Sequence, residues 1–123
     1  QVRRLSFFWR NSLRRERIDY LPSPEVFISL IRDASLVVTD SFHGTVFASL
    51  LRTPFACFLS DAFSHRLHDY LTLIHQQGRI VSDPEDLSVA RSTIDWGTVD
   101  DVLRVNRDAS LRWLLDTFKE LAP

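Results

Sequence analysis

The sequence contains no methionine, one cysteine and three glycines. The single cysteine, Cys57, cannot form a disulfide within the chain, which favours a reducing compartment. With so few glycines there is no glycine-rich phosphate-binding loop. No apolar run approaches the length of a membrane span, and no signal peptide is recognisable. Because the chain starts with Gln1 and lacks methionine, we expect it to be a piece of a longer protein.

The charge balance excludes a class of partner. The formal net charge is −1, so no overall electrostatic field favours nucleic acid. Hydrophobic residues make up 45% of the chain and charged residues 25%, as in ordinary globular proteins. A length of 123 residues is enough for a hydrophobic core, and we expect a single domain over 1–123.

A strand, a turn and a helix lie at the centre of the chain. The β-branched run Leu36–Thr39 predicts a strand covered on both faces, and Asp40–His43 then form a turn. A helix is expected to begin at Gly44 and to end before Pro54. The apolar segment Phe55–Leu59 predicts a second buried strand. Together these segments form a βαβ unit.

The turn has the features of an anion site. A strand that leads into a helix N-terminus directs unpaired N–H groups at one point, where the helix dipole adds positive charge. The Ser41 and Thr45 hydroxyls can donate to an anion, Gly44 permits close approach, and His43 adds an imidazole. A purely structural interpretation is equally open from the spacing: Asp40 or Ser41 caps the helix, and His43 is a partly buried polar residue.

The central residues resemble a known family. Thr39 to Thr45 read Thr-Asp-Ser-Phe-His-Gly-Thr, within a strand–turn–helix segment over 34–47, and Thr53-Pro54-Phe55 follow. This pattern is similar to that of polysaccharide pyruvyl transferases. The resemblance implies an α/β fold with a Rossmann-like parallel sheet flanked by helices. It further implies that the chain is the C-terminal half of a GT-B-like protein, whose active site lies between two such domains.

The resemblance also implies an activity. Members of the family transfer the enolpyruvyl unit of phosphoenolpyruvate to sugar hydroxyls, which forms a pyruvate ketal and releases phosphate. Phosphoenolpyruvate is then the donor substrate, with no cofactor and no metal, and the acceptor is a saccharide, free or lipid-linked. The expected location is the cytoplasm, including the inner face of the membrane, in the synthesis of cell-envelope exopolysaccharide. The expected partner is the missing N-terminal domain, without which we expect the fragment to be inactive.

Roles for single residues follow from the resemblance. His43 is expected to bind the donor and to act as general acid, because the enol carbon must be protonated before a sugar oxygen attacks. The residues expected to bind substrate are Ser41, Gly44, Thr45, Arg66 and Asp40. A carboxylate repels bound anions, so Asp40 is expected to orient His43 or to cap the turn. Arg66 follows the second strand, from which it could reach the same anion.

Two other functions are compatible with the sequence. One is a GT-B-type glycosyltransferase or polyol-phosphate transferase with a nucleotide-activated donor, which also binds a diphosphate at a helix N-terminus. The other is a domain that only binds sugars or a partner chain. A donor screen separates the first from pyruvyl transfer, because the released product is a nucleotide in one case and phosphate in the other.

The flanking segments allow simpler predictions. Val2–Trp9 is compatible with a strand, and Arg10–Arg17 is a basic stretch that either faces an anion or is a solvated loop. Pro24–Asp33, capped by Ser23, predicts a helix.

The second half of the chain is expected to be mainly helical. A helix capped by Ser60 or Asp61 is expected to run to Gly78, and a short strand follows at Arg79–Val81. His65 and His68 on this helix are a weak candidate for metal binding, and a wet polar face is the simpler interpretation. After one capped turn over 82–87, a Thr98–Asp101 capping box predicts a C-terminal helix with a break over 106–108.

Overall fold

The computed structural model describes residues 3–6, 17–20, 23–59, 64–83 and 88–121. Its strands are β1 (Arg3–Ser6), β2 (Arg17–Tyr20), β3 (Val37–Thr39) and β4 (Phe55–Cys57). Its α-helices are α1 (Pro24–Arg32), α2 (Phe42–Leu50), α3 (Ser64–Leu73), α4 (Ser88–Arg91) and α5 (Trp96–Leu121), and a 3-10 turn spans Gln77–Arg79. The expected α/β class is confirmed. The GT-B-like arrangement stays a prediction.

The central βαβ unit is present. β3 and β4 are parallel, with Val37 opposite Phe55 and Thr39 opposite Cys57, and α2 connects them. Cys57 also forms a parallel bridge with Ile80, so β4 lies in the middle and all its residues are buried. The expectation that the first strand is covered on both faces was wrong, because Val38 is 58% exposed. Carboxyl ends of parallel strands meet at one edge, and the turn after Thr39 lies there.

The strand expected at Arg79–Val81 is reduced to that single bridge. The 3-10 turn holds Arg79 in a helical conformation, so the backbone pairing with β4 begins at Ile80, and the Val81 N–H donates to the Cys57 carbonyl over 2.8 Å. The Arg79 side chain still reaches β4, where its guanidinium lies 5.9 Å from the centroid of the Phe55 ring. Arg79 is 3% exposed. Its guanidinium donates to the carbonyls of Val89 and Ser92 at the end of α4. This arginine therefore caps a helix C-terminus, where positive charge is favourable.

α1 matches its prediction closely. The Ser23 hydroxyl accepts a hydrogen bond from the Val26 N–H, and Pro24 is the first helical residue. Phe27 packs edge-to-face on Phe47 of α2, with ring centroids 5.9 Å apart. Ile31 is buried in the core. The helix thus packs on α2 and leads the chain into β3.

α3 ends earlier than expected. Its last residue is Leu73, and Gly78 lies in the 3-10 turn instead of ending the helix. His75 takes a left-handed backbone conformation with φ of 56°. The N–H of Gln76 bonds to the carbonyl of Leu71, as in a Schellman motif. A histidine here does what glycine usually does, which is why the glycine misled the prediction.

α5 is one continuous helix of 26 residues without the expected break. Asp95 caps it: the carboxylate accepts hydrogen bonds from the Gly97 N–H and from the Thr98 N–H and hydroxyl. The expected capping box at Thr98 was therefore placed one turn too late. Val99 is completely buried, whereas the apolar side chains of the second half are exposed. No helix in the described ranges combines the length and apolar character that a membrane span requires.

The hydrophobic core lies between β4, α2 and α3. Its buried members are Ile31, Ala48, Phe55, Cys57, Leu67, Leu71 and Ile74. The apolar stripe expected on α3 is thus confirmed at Leu67, Leu71 and Ile74. Partly buried Val102 and Leu103 of α5 pack against the same cluster.

The N-terminal region contains a second parallel pair. β1 and β2 align with Arg3 opposite Arg17 and Ser6 opposite Tyr20. A strand within Val2–Trp9 is confirmed over Arg3–Ser6. Arg17 belongs to β2, and the remainder of the basic stretch lies outside the described residues. So do the possible caps Ser60 and Asp61 and most of the turn expected over 82–87.

Candidate functional site

The turn after β3 is tighter than expected because α2 begins early. The helix starts at Phe42, two residues before the expected start at Gly44, and Ser41 is its N-cap. The Ser41 hydroxyl accepts a hydrogen bond from the Gly44 N–H at 3.3 Å, and the Ser41 N–H donates to Thr39 Oγ1 at 3.0 Å. Phe42 and His43 therefore form the first helical turn. Their N–H groups donate to no described residue.

Gly44 has a structural role that the sequence did not reveal. A Cβ at this position would lie 2.9 Å from Thr39 Oγ1 and 3.4 Å from Thr39 Cγ2. The missing Cβ of Gly44 would thus point at the Thr39 side chain of β3 and not at an incoming ligand. The expectation that Gly44 lets an anion approach the backbone needs correction: the glycine lets the helix pack on the strand.

Thr45 also holds the turn from inside. It is completely buried. Its N–H and its hydroxyl both bond to the Ser41 carbonyl, at 3.0 and 3.1 Å. The hydroxyl also lies 3.3 Å from Cys57 Sγ in β4. Direct donation from Thr45 to an anion was therefore the wrong expectation, because its donors are already used within the fold.

The exposed side chains of the turn are Asp40, Ser41 and His43. The structure contains no hydrogen bond between Asp40 and His43, both of which it describes, and the cap is Ser41. Neither local role expected for Asp40 is therefore seen. The exposure of His43 also removes the interpretation that it is a partly buried structural histidine. Its imidazole is available to a ligand at the helix N-terminus.

Phe42 connects the exposed groups. Its ring packs edge-to-face against the His43 ring, with centroids 5.8 Å apart. The Arg66 guanidinium, from the first turns of α3, lies 4.8 Å from the centroid of the same ring. The sequence-based expectation that Arg66 approaches this turn agrees with that position. His43, Arg66 and two N–H groups that donate to no described residue thus lie around one exposed helix end.

The Phe42 ring also contacts a residue that is anchored in the interior. Tyr70 of α3 packs edge-to-face on it at 5.7 Å, and the Tyr70 hydroxyl hydrogen-bonds to the buried hydroxyl of Ser49. Burial raises the pKa of Tyr70, which keeps the phenol protonated. The sequence placed Tyr70 only in the apolar stripe of α3. Contacts to Phe42 join residues distant in sequence, so local periodicity contains no signal for them.

Cys57 lies beneath the turn and is buried. Burial raises the pKa of its thiol, against smaller opposing effects of the Thr45 hydroxyl and the Arg79 charge. The thiol is therefore not an activated nucleophile. Its contact with Thr45 links β4 to α2.

The metal-binding candidate gains no support. His65 and His68 are exposed on α3. Within the ranges that the structure describes, no group of three or more His, Cys, Asp or Glu residues could hold a metal ion. Asp61, which the sequence placed near them, lies outside those ranges.

Comparison with known proteins supports the resemblance. A family model described as polysaccharide pyruvyl transferase matches residues 2–61, about half of the chain. The match includes the whole turn from Asp40 to Thr45 and ends before Arg66. Searches of curated proteins and of solved structures found no match. None of these comparisons supports the alternative of a nucleotide-activated donor.

Proposed function

Residues 2–61 belong to the polysaccharide pyruvyl transferase family, and from that premise we propose that the chain contributes the donor site of an enzyme that transfers pyruvate from phosphoenolpyruvate to a saccharide. The observation that carries the proposal is the grouping of His43 and Arg66 around Phe42 at the open end of α2. Phosphoenolpyruvate has a phosphate and a carboxylate, and both require fixed positive partners.

Each group at the helix end has a defined task in this proposal. The N–H groups of Phe42 and His43 and the helix dipole bind one anionic group of the donor. The Arg66 guanidinium can bind the other through two parallel hydrogen bonds. The Ser41 hydroxyl accepts from Gly44 and keeps its own proton for donation to the same anion.

The chemical step requires a proton donor, which we assign to His43. Its imidazolium gives a proton to the methylene carbon of phosphoenolpyruvate, and a sugar hydroxyl adds to the neighbouring carbon. A second hydroxyl then displaces phosphate and closes the ketal. The two hydroxyl protons balance the reaction: one restores the proton that His43 gave, and the other leaves with the phosphate. His43 is suited to this role because its ring is exposed yet oriented by Phe42.

The saccharide acceptor, free or lipid-linked, and the remaining wall of the site are also part of the proposal. The described residues that form the site lie at one edge of the β3–β4 pair. In a GT-B-like protein the acceptor would bind opposite this edge, on another domain. We propose the cytoplasm, with access to the inner face of the membrane, as the place of reaction.

The test is phosphate release from phosphoenolpyruvate by the complete protein, with ketal formation on saccharide acceptors followed by mass spectrometry. We expect His43→Gln to lower the rate about 100- to 10,000-fold, because glutamine cannot supply the proton. Thermal unfolding should hardly change, since His43 is exposed. His68→Gln is the matched control. His68 is also an exposed histidine, but it lies on α3 and not at the N-terminus of α2. A His43→Gln enzyme of normal rate would overturn the assignment.

Donor binding is tested on the isotope-labelled chain by titration with phosphoenolpyruvate. The largest amide shifts are expected at Phe42 and His43, whose N–H groups donate to no described residue. Smaller shifts are expected at Gly44 and Thr45, whose N–H groups are bonded to Ser41. If the largest shifts occur in Arg10–Arg17 instead, the basic stretch is the anion site and the placement at α2 is wrong.

A further inference from the structure

Within the part of the chain that the structure describes, one side-chain contact holds the Arg66 guanidinium. The residue is exposed, and it makes no hydrogen bond or ion pair with any described residue. Its contact is with the face of the Phe42 ring, 4.8 Å from the centroid. That distance lies within the range of a cation–π interaction. The position of this positive charge therefore depends on the ring.

The ring in turn is fixed by the core of the fold. Tyr70 packs against it at 5.7 Å, and Ser49 anchors the Tyr70 hydroxyl. Phe42 is also the first residue of α2, directly after the Ser41 cap, so its backbone is held by the helix. A continuous series of contacts thus runs from buried Ser49 through Tyr70 and Phe42 to the exposed Arg66.

We propose that Phe42 is a positioning residue, whose ring holds the Arg66 guanidinium ready to bind an anionic group of the donor at the N-terminus of α2. The inference rests on the proposed function for the identity of the donor. A guanidinium held over an aromatic ring uses none of its N–H donors on the ring's π-electrons alone, so donors remain for a phosphate or a carboxylate. An arginine placed in advance also loses less conformational freedom on binding than a mobile one.

The experiment measures anion affinity by amide titration with two probes, inorganic phosphate and phosphoenolpyruvate. The variants are Phe42→Leu, which removes the ring and keeps an apolar side chain, and Phe42→Tyr, which keeps the ring. We expect Phe42→Leu to weaken binding about two- to fivefold, the effect of one exposed cation–π contact. Phe42→Tyr should bind as the wild type does.

A double-mutant cycle with Arg66→Gln separates positioning from general disturbance of the turn. If Phe42 acts through Arg66, Phe42→Leu should have no further effect in the Arg66→Gln background. An equal loss in both backgrounds would overturn the inference, and so would a Phe42→Tyr variant as weak as Phe42→Leu.

A measurement on the wild type keeps the inference testable if Phe42→Leu does not fold. The side-chain protons of Arg66 should show an upfield ring-current shift relative to those of Arg104, an exposed arginine that pairs with Asp101. Absence of this shift would overturn the inference. Coupling seen with inorganic phosphate, but no binding of phosphoenolpyruvate, would refute the proposed donor and leave the role of Phe42 supported.

Discussion

Position 44 has no room for a side chain. The Thr39 hydroxyl, 2.9 Å from the place of a Cβ, is itself held because it accepts the Ser41 N–H. A rotation of Thr39 away from an added methyl group would break that hydrogen bond. The packing of β3 on α2 and the shape of the turn therefore both depend on Thr39 Oγ1.

We expect Gly44→Ala to destabilise the protein by about 1 kcal/mol, because overpacking exceeds the gain in helix propensity. In a Thr39→Ala background the obstacle is gone, and the same substitution should stabilise by up to about 1 kcal/mol. Urea unfolding of the four proteins measures both effects. Destabilisation of equal size in the two backgrounds would show that the Thr39 contact is not the cause.

The role of a residue could be predicted from the sequence where that role depends on residues close to it in the chain. Ser23 and Ser41 are helix caps, as their types suggest. The binding of an anion at the turn after β3 stays a prediction. The structural role of the Thr45 hydroxyl could not be predicted, because it contacts Cys57, twelve residues later in the chain, only in the folded state. The contacts of the Phe42 ring were missed for the same reason. Its partners Arg66 and Tyr70 lie on another helix.

Helix limits depend on capping groups that the sequence offers in excess. Near the start of α5 both Asp95 and Thr98 are suitable caps, and the structure uses Asp95 with Thr98 as its partner. At the ends of α2 and α3 the left-handed positions are occupied by Arg52 and His75, not by glycine. Side-chain preferences thus identified the helices, while tertiary packing decided where each one ends.

Asp95 makes the stability of α5 dependent on pH. Hydrogen bonds from the Thr98 hydroxyl and N–H, and from the Gly97 N–H, lower the pKa of this carboxyl in the folded state. Its contribution is thus fully present above the unfolded value of about 3.9 and is lost as the pH falls through the lower folded pKa. In the Asp95→Asn variant, the amide oxygen of the new side chain still accepts hydrogen bonds, but the group does not titrate.

On acidification from neutral pH to about 3, the melting temperature of the wild type should fall more than that of Asp95→Asn. Other carboxylates titrate alike in both proteins, so their effects cancel in the difference. Parallel curves for the two proteins would mean that the carboxylate does not keep its capping contacts in solution.

At the scale of the molecule, the two halves of α5 contribute unequally to stability. Val99 is fully buried, whereas Leu115 is 58% exposed and Phe118 67% exposed. We expect Val99→Ala to lower the free energy of unfolding by about 2 kcal/mol. Leu115→Gln should change it by less than about 0.5 kcal/mol. Equal losses in chemical denaturation would show that the second half of the helix is covered in solution.

The central position of β4 has a consequence for the rate of folding. Its two parallel pairings, Val37 with Phe55 and Cys57 with Ile80, each join segments separated by a whole helix. Such pairings require these loops to close, which costs entropy before the contacts contribute. Isolated helices, by contrast, form within about a microsecond. We therefore expect the helices to form first, and the docking of β4 between its two neighbours to determine how fast the native chain appears.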